Sequence, residues 1–519
     1  NAAHDSICAC SSDSVVGAVL QRYASASQTA TALTDRAASA FARTLTDAGW
    51  VACNTTARAR RGALVEIEID GDDVPPGMQL VRAEPLDLRH AVPTQAAHLV
   101  AEREVEVRPR GSDVSVTSDG AGHATITVRQ PPRLRVLASV DVPGFGWTTV
   151  EPSITPPRPV LVDDGGRELT NGLVSITVDQ ADGTFAIGGA RGLARLVNGG
   201  DAGDTYNYSP PDADLLIDRP IDVRVDCIER GPLRARLLVD RTYRLPERVD
   251  CGARIGLRTG VISTALELGA GESMVRVTTT LDNVWRDHRL RVHFPLPVPA
   301  RTSSAGCAYA TIARGLTAEG GPTEVGLPTF PARNFVRAGG LTIVHAGVLE
   351  YELIDVRPED DGRPHAHELA LTLLRCTGML SQGPMANRPL PAGPEVLLDG
   401  PQLPGRQTIS YAVHVGDADP YELADLLVPL PVVRGPGGGA TAASGSHLDL
   451  TGAEVTAVVR AQGALQVRVF NPRHTATTVH LPGRRGEVVD LFGNPLTAFA
   501  DRYELGPWQI ATLRLDVGA

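Results

Sequence analysis

Apolar residues recur at helical spacing only near the start of the chain. Val16, Val19, Leu20, Tyr23, Ala30, Leu33, Ala37, Ala40 and Phe41 fall three or four positions apart. Ser12 and Asp13 precede them, and either can cap a helix. The pattern predicts one or two helices running to about Leu45. They are rich in Ala and carry few charges, so their apolar stripe calls for a partner surface.

From Trp50 the period drops to two. Ala63-Leu-Val-Glu-Ile-Glu-Ile69 alternates apolar and charged residues as a half-buried strand does, and Asp70-Gly-Asp-Asp makes a turn. Similar runs at 79–82, 104–108, 113–117, 124–129 and 133–140 predict a small antiparallel sandwich over 49–151. The Pro-rich stretch 152–159 reads as an extended linker. Strand patterns then continue at 168–178, 221–225, 234–244, 260–268, 274–281, 289–294, 341–346, 349–354 and 367–375. That many strands exceed one ordinary sandwich, and large twisted sheets split into two packed layers. Residues 152–434 are therefore expected to form a large double-sheet super-sandwich. The Gly-rich run 434–446 reads as a flexible linker or exposed loop. Beyond it, 447–519 should be a small β-domain with strands at 455–460, 464–470, 478–481, 487–490 and 510–515. The fold class expected is mainly β with a short N-terminal α segment.

Charge narrows the partners. The 519 residues hold 60 acidic and 49 basic side chains, all of the latter Arg, for a net charge of −11. That balance argues against a nucleic acid or an anionic membrane as partner. No apolar run approaches the ~18 residues of a membrane span. The seven cysteines (Cys8, Cys10, Cys53, Cys227, Cys251, Cys307 and Cys376) are odd in number and irregularly spaced. They make no disulfide framework, so a reducing, cytoplasmic location is expected.

Several constellations could carry chemistry. His4 with Cys8-x-Cys10 has zinc-ligand types, but no second Cys/His pair follows at ligand spacing, and packing in a tight turn is preferred. His365 and His367 share one strand face without a third ligand nearby in sequence. Glu350 and Glu352 also share a face, as two glycosidase carboxylates would, but alternating Glu on a strand usually faces solvent. Asp287-His288-Arg289 reads as an internal hydrogen-bonding network.

The first fourteen residues carry the most specific signal. His4-Asp5-Ser-Ile-Cys-Ala-Cys10 resembles the His-Asp-(Ser/Ala)-Ile-x-Gly-(Cys/Thr) segment of glycoside hydrolase family 38 α-mannosidases in their bacterial form. Ala9 stands where the family has Gly. Similar segments follow in the family's order. They are Glu168-Leu-Thr-Asn-Gly-Leu, Gly203-Asp-Thr-Tyr-Asn-Tyr-Ser-Pro210, Asp287-His-Arg-Leu-Arg-Val-His-Phe-Pro295, Gly326-Leu-Pro-Thr-Phe-Pro331 and Glu368-Leu-Ala-Leu-Thr-Leu-Leu-Arg375.

The resemblance implies a zinc-dependent, retaining exo-α-mannosidase with one zinc ion. His4 would be a zinc ligand, and Asp5 would bond the hydroxyls of the mannose being cleaved. Tyr206 would face the substrate from the Gly203 loop, with Asp204 a further substrate-binding residue. The family's other zinc ligands, nucleophilic Asp and general acid belong to an N-terminal barrel to which the resemblance does not extend. No catalytic residue is therefore expected within these 519. Because the motif lies at the extreme start, and the chain begins with Asn, it is expected to be the C-terminal part of such an enzyme. Residues 1–48 would then end the catalytic region and the helical middle domain, and the super-sandwich would be galactose-mutarotase-like. The implied partner is a mannose-containing oligosaccharide or small mannoside, and a homo-oligomer stays open. The alternatives are a mannosylglycerate hydrolase-like enzyme and a non-catalytic carbohydrate-binding β-sandwich module.

Overall fold

The computed structural model describes residues 12–71, 73–84, 113–118, 124–129, 133–151, 158–347, 349–461 and 463–516. His4, Asp5, Cys8, Cys10, the strand expected at 104–108 and most of the Pro-rich stretch 152–159 lie outside them. The architecture is mainly β behind one long N-terminal helix.

That helix spans Asp13–Ala42 without a break. Its Ala content and the lack of internal Gly beyond Gly17 or of Pro let it run for 30 residues. Only Ala38 and Ala42 are buried, both in the last turns. Leu20, Tyr23 and Leu33 stand 60%, 47% and 57% exposed, so the apolar stripe has no cover among the described residues. Its C-terminal end is pinned by aromatic packing. Phe41 meets Trp147 edge-on at 4.9 Å between centroids, and His447 lies 4.8 Å from Trp147. Trp147 also donates its indole N–H to the Ala442 carbonyl at 2.9 Å.

The small sandwich pairs two sheets. One holds Arg60–Asp70, Arg133–Val142 and Gln79–Glu84. The other joins Ala48–Cys53 and Gly146–Thr149 to two strands from far along the chain, Val432–Pro436 and Ser444–Ser446. The run expected to be a loose linker is thus a working part of a sheet. Its glycines serve close approach: a Cβ at Gly435 would strike the Ala42 carbonyl, and one at Gly445 the Trp147 ring.

The large β region stacks a nine-stranded sheet on a five-stranded one. The five-stranded sheet runs Arg195–Gly200, His288–Ala300, Pro364–Cys376, Leu349–Pro358 and Thr329–Ala332. Its inward positions, among them Leu196, Val292, Phe294, Leu369, Leu371 and Tyr351, share one core with Leu237, Val239, Leu266, Val277 and Val413 of the larger sheet. A second five-stranded sheet, 161–193, adds Leu169, Ile176, Phe185 and Leu193 to that core. The C-terminal sheet orders Glu454–Ala461, Ala464–Phe470, Ile510–Leu515, Thr477–Val489 and Pro495–Leu505 about its own core.

The modules meet at a charged junction. Arg58 of the small sandwich pairs with Asp425 at 2.8 Å and with Glu454 at the start of the C-terminal sheet. Arg60 donates to the Val428 carbonyl at 2.6 Å and to that of Asp425, covering the end of the short helix Pro420–Asp425.

Candidate functional site

The loop after strand Arg195–Gly200 carries a dense polar construction. At Gly203 a Cβ would collide with the Asn207 carbonyl, so only glycine permits the tight reversal. Asp201 then accepts from the Gly203 amide at 2.9 Å and the Ser209 amide at 3.4 Å. One oxygen of Asp204 accepts from the amides of Tyr206 and Asn207, both at 3.0 Å. Such short Asp-to-backbone bonds close a turn without any sheet partner.

A second segment, 375–402, is laced to that loop. Arg375 pairs with Asp201 at 2.8 Å and donates to the Asp204 carbonyl at 2.5 Å. Thr377 donates to the Gly203 carbonyl at 2.6 Å, and Thr205 to the Leu380 carbonyl at 2.7 Å. The Gln382 amide reaches the other Asp204 oxygen at 3.0 Å, where Arg388 also donates. Burial pushes the Asp201 carboxyl up from its ordinary value, while Arg375 and the loop amides pull the other way.

This geometry separates the two residues expected on the loop. Asp204 is fully buried, and both of its oxygens are engaged by protein donors. It holds the loop in shape and presents no carboxylate to solvent. Tyr206 is partly exposed, and the Arg388 guanidinium lies 5.5 Å from its ring centroid. Tyr208, two residues on, is covered by the Arg289 guanidinium at 3.5 Å, and burial raises its phenol above the ordinary value. Arg375, Gln382 and Arg388 were not singled out from sequence as parts of a site. No local signal marks them, because their role comes from a pairing across more than 170 positions in the chain.

Beside the loop lies a cavity of about 520 Å³. Asp201, Asp287, Gln382, Asp399 and Gln402 are among its walls; Tyr206 is not. The N-terminal helix starts at its rim, where the Asp13 carboxylate accepts from the amides of Asp399 at 2.8 Å and Gly400 at 2.9 Å. Asp5, eight positions before Asp13 in sequence, and His4 lie outside the described residues. The carboxylates and amides on the cavity walls suit a polyhydroxylated ligand, whose hydroxyls both donate and accept.

The other constellations resolve into internal pairs. His288 is fully buried, bonded to Asn198 at 2.7 Å and Asn283 at 3.1 Å, and burial depresses its pKa to about 3. Of Asp287-His288-Arg289, His288 is internal, while Asp287 accepts from Gln402 and Arg289 lies over the Tyr208 ring. Glu352 pairs with Arg291 at 2.8 Å, and Glu350 accepts from Thr372 at 2.8 Å and lies 3.7 Å from Arg289. His365 faces Asp361 at 3.8 Å, and His367 faces Glu359 at 2.9 Å. Among the described residues no three His, Cys, Asp or Glu side chains converge as metal ligands, so these residues alone build no zinc site.

No family model matches the sequence, and no curated protein matches it. Solved structures do. An α-mannosidase from Enterococcus faecalis V583 superposes with a TM-score of 0.76 at 20% identity, over 99% of this chain and 62% of that one. A protein of glycosyl hydrolase family 38 from Enterococcus faecalis gives 0.74 at 22% identity, over 99% and 64%. The chain has the fold of the part of these two structures that it covers. It spans less than two thirds of the length of either structure, and at these identities the likeness establishes the fold alone.

Proposed function

We propose that the chain belongs to glycoside hydrolase family 38 and forms the β-rich part of a zinc-dependent, retaining α-mannosidase acting on terminal α-mannosides of an oligosaccharide. The observation that carries the reading is the match of almost the whole chain, at a TM-score of 0.76, to a structure described as an α-mannosidase. The motif beginning at His4-Asp5 supports it from sequence, and the Gly203 loop supports it from geometry.

On this reading the nucleophile and general acid come from a barrel outside these 519 residues, and the chain alone hydrolyses nothing. His4 would contribute one ligand to the zinc, whose chemistry when bound is to polarise and orient sugar hydroxyls. Asp5 would accept protons from mannose hydroxyls. Tyr206 would stack on or donate to the sugar from the rim of the Gly203 loop. Asp204, Gln382 and Arg388 would act through Tyr206 by fixing the backbone on which it sits. The cytoplasm is the proposed setting.

The test is hydrolysis of p-nitrophenyl α-mannoside by a form that carries the family's barrel upstream of Asn1. Tyr206→Ala is expected to lower kcat/KM about tenfold or more, the loss of one well-placed sugar contact, with the melting temperature unchanged. Unaltered kcat/KM would remove Tyr206 from the site.

A further inference from the structure

Strand Arg234–Leu245 turns Ala235, Leu237, Val239, Tyr243 and Leu245 into the core between the two large sheets. Arg241 sits on that same face, between Val239 and Tyr243, and is 1% exposed. A guanidinium does not give up its proton inside a protein, so the core holds a fixed positive charge. Arg241 donates to the Gly183 carbonyl and reaches the Thr264 hydroxyl at 3.5 Å; its Nε has no partner. Both contacts are neutral. No carboxylate among the described residues forms an ion pair with it. Asp182, whose charge acts on it from farther off, accepts instead from the Thr184 amide at 2.8 Å.

The pairing of four adjacent strands continues this feature as a polar line across the nine-stranded sheet. Val239 lies opposite Thr264, which sets Thr264 diagonal to Arg241. Thr264 lies opposite Thr279. Val277 lies opposite Tyr411, which sets Tyr411 diagonal to Thr279. Thr264, Thr279 and Tyr411 are each at most 2% exposed. Apolar side chains surround the line, and Phe294 of the opposite sheet meets the Tyr411 ring edge-on at 6.0 Å.

The donors along the line are under-used. Hydroxyl hydrogen bonds centre near 2.7–2.8 Å. The Thr264 and Thr279 oxygens stand 3.5 Å apart, as far as Arg241 stands from Thr264. The Tyr411 hydroxyl makes no well-formed hydrogen bond among the described residues. It is still within reach of the others: burial raises the phenol, while Arg241 and the Thr279 hydroxyl draw it down. Such long gaps between groups that can all donate suit donors gathered about one shared acceptor. A water in that place satisfies the hydroxyls and leaves the charge uncompensated, whereas an anion answers both.

We propose that Arg241, Thr264, Thr279 and Tyr411 bind a chloride-sized monovalent anion in the core of the large β region. There it neutralises the guanidinium and ties four strands of the nine-stranded sheet together. A larger oxyanion is excluded by the close packing of a core. The four residues are distinct from those of the Gly203 loop, and the proposal stands whether or not the chain belongs to a mannosidase.

The experiment uses the 519-residue chain. Urea unfolding is followed at constant ionic strength while sodium gluconate is replaced by sodium chloride or sodium bromide. The midpoint is expected to rise with the logarithm of either halide concentration, because an ion held only by the folded chain adds stability by mass action. Tyr411→Phe removes one donor at nearly constant volume and should move that rise to about tenfold higher halide. Arg241→Met should abolish it, since the charge that holds the ion is gone. Should Arg241→Met fail to fold, crystals of the unaltered chain grown in bromide decide, with an anomalous peak expected among the four side chains. A midpoint indifferent to halide overturns the proposal. So does a rise that persists unchanged in both variants, or crystals with no bromide peak at Arg241. A peak without any halide dependence in solution also overturns it, because the ion would then bind at crystal concentration only.

Discussion

Acidification from pH 6.5 to pH 4 is expected to remove roughly 6 kcal/mol of stability through His288 and His345 alone. Both imidazoles are buried in the large β region, at 0% and 2% exposure, and burial depresses their pKa values to about 3 and about 4. The sign follows from proton counting. Below the ordinary histidine value of 6.5 the unfolded chain takes up a proton at each residue, while the folded chain refuses it. Stability contributed by the neutral rings is therefore whole above pH 6.5 and drains as the pH falls towards the folded values. Buried Glu267 and Glu454, whose carboxyls are raised by burial, work in the opposite direction. A substitution isolates the histidine share. The ring nitrogens of His345 have no side-chain partner, so His345→Leu should fold and should roughly halve the loss of urea stability between pH 6.5 and pH 4. An unchanged pH slope in that variant would contradict the assignment.

Asp204→Ala is expected to cost about 3–5 kcal/mol, a large effect for one loop residue. The substitution leaves the Arg388 guanidinium buried without its carboxylate, and it strips three amides of their acceptor. An uncompensated buried charge is the main part of that cost. Asp204→Asn should cost less, because the amide oxygen can still accept from the Tyr206 and Asn207 amides. Urea denaturation measures the loss, and hydrogen exchange at 201–209 should show where it falls. A neutral outcome for Asp204→Ala would mean that the loop is held chiefly by Asp201, Arg375 and Thr377.

Much of the fold was legible because period-two alternation survives wherever a strand has one buried face. Strand Arg234–Leu245 buries alternate residues from Ala235 to Leu245, as its pattern predicted. The same logic failed at Pro495–Leu505, where a leading proline and a long exposed stretch conceal a strand paired with Thr477–Val489. It failed also at 434–446. Gly-Pro-Gly-Gly-Gly signals a loop by composition, yet backbone pairing to Ala48–Cys53 and Gly146–Thr149 needs no side-chain pattern at all. The helix was legible in its spacing, but its exposed stripe shows that amphipathicity marks a face and not what covers it. At the site, Tyr206 and Asp204 were marked only through the resemblance of the 203–210 segment to family 38. The burial of Asp204 was not legible at all, because it depends on Arg388 and Gln382, brought in from far along the chain.

Membership of a mannosidase stands or falls on one comparison. The 519-residue chain and a form extended upstream by the family's barrel are each given p-nitrophenyl α-mannoside with zinc. Hydrolysis is expected from the extended form only, abolished by His4→Ala. Hydrolysis by the 519-residue chain itself would place the catalytic carboxylates among these residues and contradict the proposed function.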